Sequence, residues 1–270
     1  MLTNTIGYIN IFISFINILL GVLVLSSNAK RSVNKAYFFC TFTMAMWSMS
    51  MFFYDSPVGF DSTQWLKIVY IVSYLMTFAQ IHFALEFHGV VNRKFLAIVF
   101  SVLGPLFLYG AYLLMIADSV VLGTQFNEAK NVVIATMGDG YVMYFLPIIL
   151  SLIFLFAVHI IKASQLEGLK KKQTQYYWIA GFLMITPLFI LDFILPVFFS
   201  ITDHYQYSTL GNILWAVIIA YSIYNTRFLD VRLHDAFLPV LLYLSRYMKR
   251  KIHHRCSFEM MACVYCFVAY

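Results

Sequence analysis

Charge is what this chain has least of. Of its 270 residues only 11% are Asp, Glu, Lys or Arg, while 62% are hydrophobic. A soluble domain carries about a quarter charged residues and under half apolar ones. The composition therefore excludes a water-soluble globular protein, and a mean hydropathy of +0.81 agrees. Cysteine is sparse, limited to Cys40, Cys256, Cys263 and Cys266. Cys40 lies in a span and the other three fall where thiols stay reduced, so no disulfide framework is expected. The opening MLTNTIGY lacks a basic n-region and a small-residue cleavage site. It reads as a first span, not a removable signal peptide. GxSxG, HExxH, paired carboxylates in the spans and a glycine-rich nucleotide loop are all missing, so an enzyme has no positive support and no catalytic residue is assigned. No lysine falls between 208 and 226, which disfavours a retinal Schiff base. No internal repeat is visible, which weakens a transporter built from inverted halves.

What is present is apolar sequence in long runs. A spanning helix needs about 20 mainly apolar residues. Seven stretches qualify: 6–26, 36–54, 65–87, 95–117, 142–163, 176–200 and 208–226. The breaks between them are polar, and their charges are uneven. Sixteen of the 18 basic residues fall in alternate breaks and in the tail after 226. The other side holds Lys67 and Lys130 beside Asp55, Asp61, Asp118, Glu128, Asp139 and Asp203. By the positive-inside rule this predicts an all-α, seven-transmembrane helix bundle with the N-terminus outside and the C-terminus cytoplasmic. The net charge of +6 is then a topology signal, and no nucleic-acid partner is expected. Residues 1–226 form the bundle, and 227–270 form a cytoplasmic juxtamembrane tail. Within the tail, 236–245 is too short to cross and suits an interfacial helix, and 256–270 is also too short.

The only sizeable outer loop, 118–141, contains NVVIATMGDGYVMY. Its alternation around Gly138-Asp139-Gly140 predicts a short outer β-hairpin. Such a hairpin is either a lid over the outer mouth of the bundle or an ordered connector.

Polar residues inside the spans are the candidates for function, because charge in a membrane is costly. Asp192 lies in TPLFILDFILP, between Pro187 and Pro196. Trp47, Tyr70, Tyr74, Asn212 and Trp215 come from other spans, and with Asp192 could line an outward-opening pocket for a small-molecule or membrane signal. The opposing reading is a hydrogen-bonded Asp192 that locks helix packing. FAQIHFALEFHGVV, residues 78–91, holds His82, Glu86 and His88 near the other rim. His82 and Glu86 share a helix face. His88 is about 200° round the helix from Glu86, so the three make no single metal triad. The expectation is a rim cluster in which Glu86 pairs with Lys35, Arg93 or Arg227 and His82 packs on a neighbouring helix. Neither a metal nor another cofactor is assigned, and HHRC with CVYC in the tail is too isolated to change that.

Several stretches together resemble the N-terminal seven-transmembrane sensor region of bacterial and archaeal histidine kinases. NKAYFFCTFTMAMWSMSMFF resembles that family's second span with its central Trp, here Trp47. FALEFHG resembles the ending of its third span. KKKQTQYYWIAGFLMITPLFILDFILP resembles its basic-Gln loop and sixth span. GNILWAVIIAYSIYNTRFLDVR resembles its closing signature, here with Tyr221, Arg227 and Asp230. The resemblance covers residues 5–235. It implies a prokaryotic cell-membrane input module that passes a signal through the seventh span and a signal exit at Tyr221, Arg227 and Asp230. The partners implied are membrane lipid, an unidentified signal, a second copy in a homodimer, and a separate cytoplasmic kinase core. The last follows because the sequence shows neither a phosphoacceptor-histidine helix nor an ATP-binding domain; the other expectations are a truncated reading frame or a lone receptor. A small transporter or channel using Asp192 in a proton or cation path is the alternative.

Overall fold

The computed structural model describes residues 5–89, 93–127, 132–202, 207–226 and 229. Its helices are α1 (Thr5–Ser27), α2 (Ser32–Asp55), α3 (Ser62–Phe87), α4 (Arg93–Met115), α5 (Tyr141–Gln165), α6 (Gly168–Phe199) and α7 (Leu210–Thr226). Strands β1 (Val121–Asn127) and β2 (Val132–Met137) pair antiparallel between α4 and α5. The protein is thus mostly helical. Five helices, α1, α2, α3, α5 and α6, are long and apolar enough to cross a membrane, which marks a multi-pass membrane protein. The apolar Ser101–Met115 part of α4 is shorter. So is α7, whose 17 residues rise about 26 Å.

Local chemistry sets the helix ends. Asp61 accepts the Gln64 N–H at 2.7 Å and starts α3 three residues before the apolar run. α6 begins at Gly168, well before the apolar stretch at 176, because Lys and Gln are good helix formers although they are polar. Only Leu166 and Glu167 separate α5 from α6.

The hairpin exists, but not where the Gly-Asp-Gly turn placed it. Its first strand lies upstream at Val121–Asn127, and Gly138-Asp139-Gly140 leads into α5 instead. YVMY continues into an apolar helical run and is taken up by α5. The two glycines serve close packing. Gly138 N–H bonds to Val120 O and Gly140 N–H to Ser119 O. A Cβ on Gly138 would lie 2.2 Å from Ser119 O.

α2 lies between α1 and α3, α7 packs on α6 and α1, and α5 touches α3, α4 and α6. Tyr37, Cys40, Met44, Trp47, Met51 and Tyr54 of α2 are fully buried, a stripe at three- and four-residue steps. The bundle has a hairpin end and a basic end, the latter carrying Lys170, Lys171 and Lys172. Three hydrogen bonds fasten the hairpin to α2 and α3: Tyr54 OH to Val133 O at 3.0 Å, Thr63 to Thr124 at 2.9 Å, and Tyr70 OH to Met137 Sδ at 3.9 Å. Lys67 pairs with Asp118 beside them.

Candidate functional site

At the hairpin end α6 loses its regular winding. Ile190–Ile194 form a π turn, in which the Leu195 N–H reaches back to Ile190 O. Prolines provide the cause. Pro196 has no N–H to offer the carbonyl four residues back, which is that of Asp192. The Tyr141 hydroxyl of α5 donates to that carbonyl instead. The Asp192 side chain is buried and hydrogen bonds Ser208, at the entry to α7. Its Oδ1 has no hydrogen-bond partner among the described residues. A π turn carrying a buried acid is a common setting for function.

Tyr141 belongs to an aromatic cluster that includes two of the expected residues. Tyr74 OH donates to Tyr144 O at 2.7 Å, and Tyr144 OH donates to Tyr70 O at 2.6 Å. The Tyr74 and Tyr144 rings stack at 4.5 Å, and Tyr70 meets Tyr141 edge-on at 6.1 Å. Tyr70 and Tyr74 thus reach Asp192 through α5. Asn212 turns to α2, its Nδ2 lying 3.2 Å from Ser48 Oγ. Trp215 stacks on Tyr37 at 6.0 Å. All six residues expected at the pocket, Trp47 included, are buried. They are divided between an α3–α5–α6 cluster and an α2–α7 cluster.

The basic end holds the rim residues. Glu86 Oε2 accepts the Ser32 hydroxyl at 2.6 Å, at the first turn of α2, where a carboxylate also meets the positive end of the helix dipole. His82 Nε2 stands 3.8 Å from Glu86 Oε1, with the His82 side chain 42% exposed. His82 therefore faces its own helix partner and the surroundings, not the neighbouring helix expected for it. His88 leaves this group, as the helix geometry required, and caps α3. Its Nε2 is 2.7 Å from Nδ1 of His159 on α5. Burial, and then the nearby Lys162, push the His88 imidazole down to about 4. Arg227 and Asp230 lie outside the described residues, as do the 236–245 and 256–270 segments. Tyr221 is described: it meets Tyr176 of α6 edge-on at 5.6 Å and accepts from Asn225 at 3.4 Å.

Three contributors escaped the sequence reading. His159 sits in a span that looked purely apolar around it, and only its depth, matched against the end of α3, could have paired it with His88. Tyr141 looked like hairpin rather than helix. Gln173 was counted with a loop, yet its Nε2 donates to the Thr226 carbonyl at the end of α7 at 2.9 Å. A cleft of about 570 Å³ also opens between α5 and α6 near the basic end, lined by none of the six expected pocket residues.

No family model, curated protein or solved structure matches the chain.

Proposed function

We propose that this chain is a seven-span membrane sensor module that relays a signal through α6 and α7 to a cytoplasmic transmitter. The observation that carries this is the attachment of α6 to α7 at both ends. Asp192 holds Ser208 at the entry of α7, and Gln173 holds Thr226 at its exit. A change at the π turn therefore reaches the exit of α7 through one continuous helix. The π turn supplies the element with two arrangements, since its extra residue can be wound differently. A signal that binds one arrangement better shifts the population, and one that binds both equally shifts nothing. The pattern of basic residues supports an N-out, C-in orientation in a prokaryotic cell membrane. Segment order from FALEFHG to YNTRFLDVR supports the sensor class.

The test is site-directed crosslinking and spin-label mobility at 227–235 in lipid bilayers, with and without candidate ligands and lipids. A state-dependent change is expected, and none under any condition refutes the proposal. The Oδ1 of Asp192, without a hydrogen-bond partner among the described residues, favours a second reading, a proton or cation path. Flux in proteoliposomes that disappears in Asp192→Asn would establish that reading in place of the first.

A further inference from the structure

We propose that the cleft between α5 and α6 is a binding site for one anionic phospholipid. This inference rests on the chain spanning a membrane and is independent of the sensor reading. α5 and α6 are joined by two residues, yet they part to leave about 570 Å³ between them. The α6 wall of the cleft is Lys172, Thr174, Gln175, Tyr176, Trp178 and Ile179. Four of them, Lys172, Gln175, Tyr176 and Ile179, lie at i, i+3, i+4 and i+7, one continuous helix stripe. The α5 wall is His159, Ile160 and Ala163.

The lining changes character along its length as a lipid does. Lys172 and Gln175 lie toward the basic end, and Ile179 and Ile160 lie deeper. Lys172 and Ile179 are seven residues apart, about 10 Å along the helix. The headgroup layer of one leaflet is about 5–8 Å thick. The stripe thus passes from headgroup depth into hydrocarbon. Between its ends stands Trp178, which lines the cleft at the depth where indoles settle.

Charge selects the headgroup. Lys172 lines the cleft, Lys162, Lys170 and Lys171 lie within ten residues of it along the chain, and Glu167 is the single acid in that stretch. A zwitterionic headgroup would gain little from this field. A soluble anion would be satisfied at the mouth and has no use for the apolar wall behind it. The lipid also has a route to the rest of the molecule, because Tyr176 lines the cleft and touches Tyr221 of α7.

The test is native mass spectrometry of the full chain in detergent, titrated with phosphatidylglycerol, phosphatidylcholine and glycerol 3-phosphate. Phosphatidylglycerol should be retained in preference to phosphatidylcholine, and glycerol 3-phosphate should not bind. Lys172→Gln should cut the preference about fivefold, the effect of one lysine near an anionic headgroup. Ile179→Trp, which fills the cleft, should weaken phosphatidylglycerol binding itself. The proposal is overturned by an unchanged lipid preference in Lys172→Gln, or by glycerol 3-phosphate binding as tightly as the lipid. Should Ile179→Trp not fold, quenching by brominated acyl chains decides in its place. The fluorescence lost in Trp178→Phe should be quenched by brominated phosphatidylglycerol more than by brominated phosphatidylcholine. Equal quenching by the two refutes the site.

Discussion

Replacing Gln173 with leucine removes a donor and keeps the volume. Gln173 and Thr226 are both buried, and the side-chain amide reaches the last carbonyl of α7 at 2.9 Å. Carbonyls in the last turn of a helix have no partner within it. In Gln173→Leu the Thr226 carbonyl stays buried and loses its donor, at a cost of about 1–3 kcal/mol. The cost falls on the last turn of α7, because the rest of that helix keeps its own ladder. Opening of that turn should become about 5- to 150-fold more frequent. Hydrogen exchange in nanodiscs reads this directly at the amides of 222–226. Gln173→Glu serves as the comparison, since its carboxylate fills the same space and cannot donate when ionised. Both variants should expose the last turn and leave α1–α3 protected. Unchanged exchange at 222–226, or equal loss of protection through the whole bundle, would refute the idea that Gln173 fastens the exit of α7.

Three further outcomes follow from the same contacts. In Gly211→Ala the new Cβ would stand 2.4 Å from Met184 O on α6, so the helices must separate, and thermal stability in detergent should fall by about 1–3 kcal/mol. Tyr144→Phe removes only the hydroxyl that reaches Tyr70 O and keeps the ring stack, so it should cost about 0.5–1.5 kcal/mol in unfolding measurements, while Tyr144→Leu should cost more. His88 is held at about 4 in the folded protein, below its unfolded value of about 6.5. Its neutral form thus adds stability above about pH 6.5, lost as pH falls toward 4 and then constant. The loss should be about 1–2 kcal/mol after discounting for partial exposure, and His88→Gln should flatten that part of the melting-temperature profile.

The sequence announced the helices through length and hydropathy, and five of the runs meet the length and composition of a span. It was poorer where polar residues join a helix. KKKQTQ winds into α6 because propensity, not hydropathy, governs a surface turn, and that is why Gln173 was missed. Gly138-Asp139-Gly140 resembled a hairpin turn because small residues serve both turns and close backbone packing. Only the position of Ser119 distinguishes the two. Asp192 stood out as a buried acid between prolines, but its winding defect and its hold on Ser208 depend on partners far away in sequence. The separation of His82 and Glu86 from His88 was legible from 3.6-residue periodicity alone. The meeting of His88 with His159 was not, since it depends on how α3 and α5 align.

The two-residue link between α5 and α6 has a mechanical consequence. Across Leu166 and Glu167 the ends at Gln165 and Gly168 are three Cα steps apart, about 11 Å at most, so the adjoining helix ends stay together whatever else moves. The link is a fulcrum. Tyr176 is about 14 Å from it along α6 and Asp192 about 38 Å, a leverage of nearly three. A wedge that spreads the helices by about 1 Å beside Tyr176 would swing the π turn by almost 3 Å if α6 turns as one arm. Small changes near the lysines are thereby magnified where the buried acid sits.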